Sequence, residues 1–167
     1  MEQYGKATYN FAFRLTGNEP DARDLTQEAF IRVYRAWRSF QPGTSFLSWI
    51  YRIVTNLYRD ELRRRKGRFQ GEIPEDNAPQ EYGGEKPLAV NPIDTYLERQ
   101  LSESLSKSLN ALSPEQRQVL ILADIEEYSY QEISEIMGCS IGTVRSRLHR
   151  ARALLRKLLT REQRRSL

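Results

Sequence analysis

The chain holds one cysteine, Cys139, and one histidine, His149, among 167 residues. One thiol forms no internal disulfide, and one Cys with one His cannot assemble a zinc site of the usual spacing, so a cross-linked scaffold and a zinc module are excluded. No stretch approaches about 18 consecutive apolar residues, and the start lacks a charged-then-apolar leader. The expectation is therefore a cytoplasmic chain with no membrane span and no secretory signal. Strand-like alternation is missing from the first 66 residues, and neither a nucleotide-cradling glycine loop nor an internal repeat is present. Paired metal-binding carboxylates and a nucleophile constellation are also missing, so no enzyme activity, catalytic residue, metal or cofactor is assigned. Cys139 is read as a small residue buried in a turn.

About 39% hydrophobic content is enough for small cores and poor for a large one. The expected fold is all-α, with two small helical domains (residues 1–66 and 94–167) joined by a flexible acidic linker (67–93). Asn18-Glu19-Pro20-Asp21 opens a helix with an acidic first turn, and Ala22, Leu25, Ala29, Val33 and Ala36 then share a face as far as Trp37. Phe40 to Thr44 is a loop. Thr44 or Ser45 caps a further helix that carries Phe46, Trp49, Ile50, Ile53, Val54 and Leu57 and ends in Arg63 to Lys66. Gly67 to Pro92 holds four of the seven prolines, four of the nine glycines, and five acids against two bases. Its apolar content is too low to offset chain entropy. Beyond it, Leu97, Leu101, Leu105 and Leu109 recur every four residues, and Ser113-Pro114 opens another helix.

The net charge of +4 conceals segregation. Nine basic residues face one acid between Arg145 and Arg165, whereas nine acids face three bases between Asp94 and Glu135. A basic block on a helix is a footprint for polyanions. Ahead of it, Ser129 and Glu132 have capping-box spacing for a short helix that buries Ile133, Ile136 and Met137. Gly138 stops that helix, and Ser140 caps a longer one with Val144, Leu148, Ala151, Leu155 and Leu158 on one face. Gly142, Ser146, His149 and Arg150 face away, with Arg145 and Arg147 on the flanks. This is the pattern of a helix-turn-helix, whose second helix enters a major groove where Arg pairs with guanine. A second constellation lies earlier: Phe40, Phe46, Trp49 and Tyr51 are interleaved with Arg52, Asn56, Arg59 and the basic run from Arg63. Aromatic faces stack on unpaired bases while neighbouring cations track the backbone. The competing reading of Trp49 and Tyr51, taken singly, is core packing.

Three motifs in order resemble the extracytoplasmic-function sigma factors of bacterial RNA polymerase: Asp21 to Phe30 (DARDLTQEAF), Phe46 to Ile53 (FLSWIYRI) with Asn56, and Ser129 to Ile133 (SYQEI) through Gly142 to Arg147 (GTVRSR). The resemblance implies an alternative sigma factor with two domains, an amino-terminal one that melts and captures the -10 element and a carboxyl-terminal one that reads the -35 element. The implied partners are promoter DNA, the clamp helices and flap of the two large subunits of core RNA polymerase, and an anti-sigma factor. Asp24, Leu25, Gln27 and Glu28 match the polymerase-clamp motif. The -10 set is Phe40, Gly43, Ser45, Phe46, Trp49, Arg52, Asn56, Arg59 and Arg63, with the loop Phe40 to Ser45 matching the segment that pockets a flipped base. On the -35 side, Arg145, Ser146, His149 and Arg150 match the base-facing side, Thr143 and Arg147 match phosphate contacts, and Ser140 stands at the cap. Trp49 is followed by Ile50 where primary factors carry paired tryptophans, which favours base capture by the loop. A free-standing helix-turn-helix regulator is the alternative, and it leaves the amino-terminal motifs unexplained.

Overall fold

A computed structural model describes residues 2–69 and 107–165. The linker and the leucines at 97, 101 and 105 lie outside the described residues. Helix α1 (Glu2–Thr16) is followed by α2 (Glu19–Arg35), a single 3-10 turn (Trp37–Ser39) and α3 (Phe46–Phe69). After one helical turn at 107–110 come α4 (Pro114–Leu120), a π turn (Ile121–Ile125), α5 (Tyr130–Met137) and α6 (Ile141–Arg165). No strand occurs among the described residues, and none of their helices is long and apolar enough to cross a membrane.

The helix starts follow from local chemistry. The Asn18 side chain accepts the Asp21 amide at 2.9 Å, Pro20 occupies the first turn, and Glu19 and Asp21 face the positive end of the helix dipole. Ser113 forms a reciprocal capping box with Gln116 ahead of α4. Helix α2 ends at Arg35, two residues short of the expected end at Trp37, because the Ser39 amide donates to the Ala36 carbonyl and the Phe40 amide to that of Trp37, three residues back, and the chain tightens into the 3-10 turn. Helix α3 runs past Lys66 to Phe69. Its basic end is stabilised by i,i+3 and i,i+4 pairs with Asp60 and Glu61, and Arg65 also bonds Asp21 of α2 at 3.0 Å.

Helices α1, α2 and α3 pack together around Phe11, Leu15, Ala22, Ala29, Ile50 and Val54. In the carboxyl-terminal half, α4 and α5 lean on α6 and bury Leu122, Ile133, Met137, Val144, Leu148 and Ala151. Leu155 and Leu158, expected on the same stripe, are half-buried, because α6 extends beyond the helices it packs against. The two halves meet where α3 contacts α5 and α1 contacts α4, so the apolar core runs without interruption from one to the other.

Candidate nucleic-acid interface

The carboxyl-terminal site is built on a turn. Ser129 Oγ accepts the Glu132 amide at 3.3 Å, while the Glu132 carboxylate accepts the Ser129 amide at 2.8 Å and the Ser129 hydroxyl at 2.7 Å. Those bonds hold the Glu132 carboxyl below the usual carboxylate range, the hydroxyl contributing most. The stabilisation is fully present above the ordinary carboxyl value and is lost as pH falls through the lower folded value. Glu132→Gln, which keeps the neutral capping bond that Gln116 makes ahead of α4, is therefore expected to lower stability at pH 6 by less than the loss of a cap, with the difference from wild type shrinking on acidification to pH 3. Urea melts across that range check this.

Gly138 then turns the chain at φ 61, a left-handed conformation that disfavours any side chain, and the Cys139 amide closes on Ser134. Ser140 Oγ accepts the Thr143 amide at 3.1 Å and starts α6. With α6 anchored by Val144, Leu148 and Ala151, its opposite face presents Arg145, Ser146, His149 and Arg150 to solvent. Thr143 is half-buried, its hydroxyl 2.9 Å from that of Ser140. Arg152, farther along, is held by Asp124 of the π turn, Nε to Oδ2 3.1 Å.

In the amino-terminal half, four rings enclose the base of the loop between the 3-10 turn and α3. Phe40 lies 5.4 Å from Phe46 and 5.2 Å from Trp49, and Trp37 stacks on Phe40 at 5.9 Å and meets Phe46 edge-on at 5.8 Å. The loop turns at Gly43 with φ 95. Ser45 Oγ accepts the Ser48 amide at 3.2 Å and sets the start of α3. Along α3, Arg52, Asn56 and Arg63 lie on the solvent side.

Residues 1–68 match the family described as Sigma-70 region 2, and residues 102–155 match Sigma-70, region 4. The chain is 43% identical over 159 residues to the ECF RNA polymerase sigma factor SigE of Mycolicibacterium smegmatis, an alignment covering 95% of this chain and 60% of that protein. It is 35% identical over 161 residues to the ECF RNA polymerase sigma factor SigW of Bacillus subtilis, covering 95% and 86%. The chain belongs to the ECF RNA polymerase sigma factor family. Two solved structures share the sigma-factor fold. The sigma factor RpoE from Bartonella quintana, in complex with the anti-sigma factor NepR, superposes with a TM-score of 0.73 at 28% identity, covering 95% of this chain and 92% of that one. CnrH, in complex with the cytosolic domain of CnrY, gives 0.65 at 25% identity, covering 95% and 84%.

The sigma factor places its sequence-predicted residues unevenly. In the -35 set, the expected base-facing four are all exposed, whereas Arg147 is half-buried. In the -10 set, Gly43, Ser45, Arg52, Asn56 and Arg63 are exposed. Phe40, Phe46 and Trp49 are half-buried because they pack on one another, so they shape the loop more than they offer free faces. Tyr51, which stands among the aromatics of this segment and taken singly reads as core, is fully buried, stacked on Phe11 at 4.1 Å. Arg59 is half-buried and donates to the Met137 carbonyl at 2.6 Å. Cys139 is half-buried, not fully buried, and packs against the edge of the core. Of the residues expected to meet the clamp, Asp24 and Gln27 are exposed on α2, while Leu25 and Glu28 are half-buried, with Glu28 accepting from Arg32 at 3.2 Å. Trp37 was missed. It is 56% exposed at the rim of the aromatic box, and the only local signal for it is its position at the break of α2.

Proposed function

We propose that this chain is an alternative sigma factor that acts in the cytoplasm on core RNA polymerase, directing initiation by reading the -35 element and opening and capturing the -10 element. The observation that carries the reading is one chain holding both a helix-turn-helix with an exposed basic second helix and a separate loop walled by four aromatic rings beside exposed cations. A free-standing regulator needs the first and has no use for the second. Residues 1–66 take the polymerase and -10 roles, 94–167 the -35 role, and 67–93 join them. Phosphodiester chemistry belongs to the polymerase, and none is assigned to this chain. Asp24, Leu25, Gln27 and Glu28 dock on the clamp helices of the largest subunit, and the carboxyl-terminal half docks on the flap of the other. Trp37, exposed at the rim of the box that Phe40, Phe46 and Trp49 build, is the ring offered to an unpaired base. An anti-sigma factor is a further partner, supported by the likeness to RpoE, whose structure holds NepR.

The deciding experiment is transcription in vitro with core polymerase over a promoter library, beside binding of the free chain to the same DNA. Promoter-specific initiation with weak binding by the free chain supports the sigma-factor role. Tight sequence-specific binding without polymerase, and no initiation with it, supports the regulator.

Within the recognition helix, Arg145 and Arg147 should fail differently. Arg145→Ala is expected to cost roughly 1–3 kcal/mol and relax preference at a single position, whereas Arg147→Ala weakens all promoters alike and lowers the salt slope by about one. Initiation rates across -35 variants separate the two; a uniform loss from Arg145→Ala removes its reading role.

A further inference from the structure

Of Arg145, Arg147, Arg150, Arg152 and Arg156 on α6, only Arg152 carries an ion pair among the described residues. Its guanidinium meets Asp124 through two bonds, Nε to Oδ2 at 3.1 Å and a terminal nitrogen to Oδ1. The Tyr130 phenol, at the start of α5, bears on the same guanidinium, and the two partners hold it above its ordinary value, the Asp124 bond contributing most. One side chain of α6 is thus tied to two other elements. Asp124 bonds to no other group among the described residues. A carboxylate beside a surface proposed for DNA opposes binding, so its presence there points to a role that outweighs the repulsion.

Asp124 reaches α6 from an irregular stretch of chain. Ile121 to Ile125 form a π turn, closed by the Glu126 amide on the Ile121 carbonyl at 2.9 Å. Ile121 and Leu122 are fully buried and anchor the turn in the core, while Asp124 is left at the surface. Single π turns recur at functional positions. This one brings a carboxylate across 28 residues of chain onto the recognition helix.

Helix α6 is held on its inner side along one stripe, Val144, Leu148 and Ala151. A single stripe of contacts resists roll about the helix axis weakly, whereas a tie at the flank acts on a longer lever. Arg152 lies one residue past the stripe, about 100° round the helix. It shares an edge with His149 three residues before it and Arg145 seven before it, so the tie acts at the flank of the proposed base-facing side. Roll matters there. A group about 6 Å from the axis moves roughly 1.5 Å when the helix rolls by about 15°, and a hydrogen bond to a base edge spans only about 2.7–3.2 Å. Supporting groups in a binding site must hold orientation within about 10–20°.

We propose that Asp124 is a positioning residue for -35 reading: through Arg152, with Tyr130 as the second hold, it sets the roll of α6 against α5 so that Arg145, Ser146, His149 and Arg150 meet the base edges together. The proposal rests on the sigma-factor reading above. Arg152 is on this account a strut and not a phosphate contact.

The test compares the full wild-type chain with Asp124→Ala, Arg152→Gln, the double variant and the conservative Asp124→Glu. Initiation by each holoenzyme is measured across single-base variants of the -35 element. In the free chain, spin labels at Glu135 of α5 and Lys157 of α6, both exposed, report the arrangement of the two helices in a Cys139→Ser background. Exposed ion pairs add little to folding, so melting temperatures should stay within a few degrees of wild type. Asp124→Ala and Arg152→Gln should each broaden the label distance and cut discrimination against wrong -35 bases by at least about fivefold at several positions at once, unlike the loss of a single base contact. The double variant should do no worse than either single one, since both remove the same tie, and Asp124→Glu should restore most of the discrimination. If Asp124→Ala fails to fold, Arg152→Gln decides. An unchanged distance in folded variants overturns the positioning, and a broadened distance with wild-type discrimination overturns the link to base reading. Tighter binding of all sequences by Asp124→Ala, with a salt slope steeper by about one, overturns the strut and makes Arg152 a masked phosphate contact. A wild-type chain that initiates at no promoter would instead remove the sigma-factor reading, with the label distance in the free chain still deciding whether Asp124 sets α6.

Discussion

Glu28→Lys is expected to weaken assembly with core polymerase by at least about thirtyfold, on the order of 2 kcal/mol. The carboxylate is half-exposed at the edge of a groove between α2 and α3, where its one partner among the described residues is Arg32 a turn away, so it is held in place without being consumed by the fold. An exposed i,i+4 pair contributes only about 0.3–0.5 kcal/mol. Charge reversal should therefore leave the melting temperature within a few degrees of wild type while placing a cation where a partner is proposed to meet an anion. Binding titrations of core polymerase with each form, helicity measured alongside, test the assignment. Equal affinity in a folded variant would mean that the clamp does not touch Glu28. Gln27→Lys, on the same face, should follow the same direction.

The second large effect is structural. Leu148→Ala is expected to cost about 2–5 kcal/mol, because Leu148 is 1% exposed in the core that α4 and α5 form against α6, and the side chain's removal leaves a cavity there. It faces away from Arg145, Ser146, His149 and Arg150, so any loss of promoter binding would come through unfolding of the helix-turn-helix. Denaturant melts should show the loss directly, and initiation should recover when the temperature is lowered. A variant as stable as wild type would mean that α6 repacks, and the placement of the recognition face would have to be redrawn.

The local features of this chain were legible before any coordinates. Asn18, Ser113, Ser129 and Ser140 each open a helix as their spacing implies, because a cap is satisfied by an amide two or three residues away. Gly138 ends α5 in the left-handed region for the same reason. The exposed set on α6 followed from the apolar stripe opposite it, and the three motifs were enough to identify the sigma-factor family. What local spacing left open lay at positions whose surroundings are far along the chain. Tyr51 differs from its exposed neighbour Arg52 by one step of helix register, and only the packing of α1 against α3 shows that its ring belongs to Phe11. Trp37 was taken as the end of a helix and was instead left outside it, its ring exposed beside the loop.

By itself the sequence determined the family, the helical fold, the caps and the order of the two nucleic-acid motifs, because those depend on contacts between residues a few positions apart. Only the tertiary structure decided which charges are free to bind. Arg117 reads as one base within an acidic stretch, yet it is buried on a carbonyl 102 residues away in the chain. Arg59 reads as a strand-tracking cation, yet its guanidinium is occupied by Met137, 78 residues on, and Glu126 is claimed by Tyr51 and Arg14. Local spacing specifies which face of a helix is apolar. It does not specify which other helix that face or its flanking charges will meet, and that choice comes from the summed burial of a core shared by both halves.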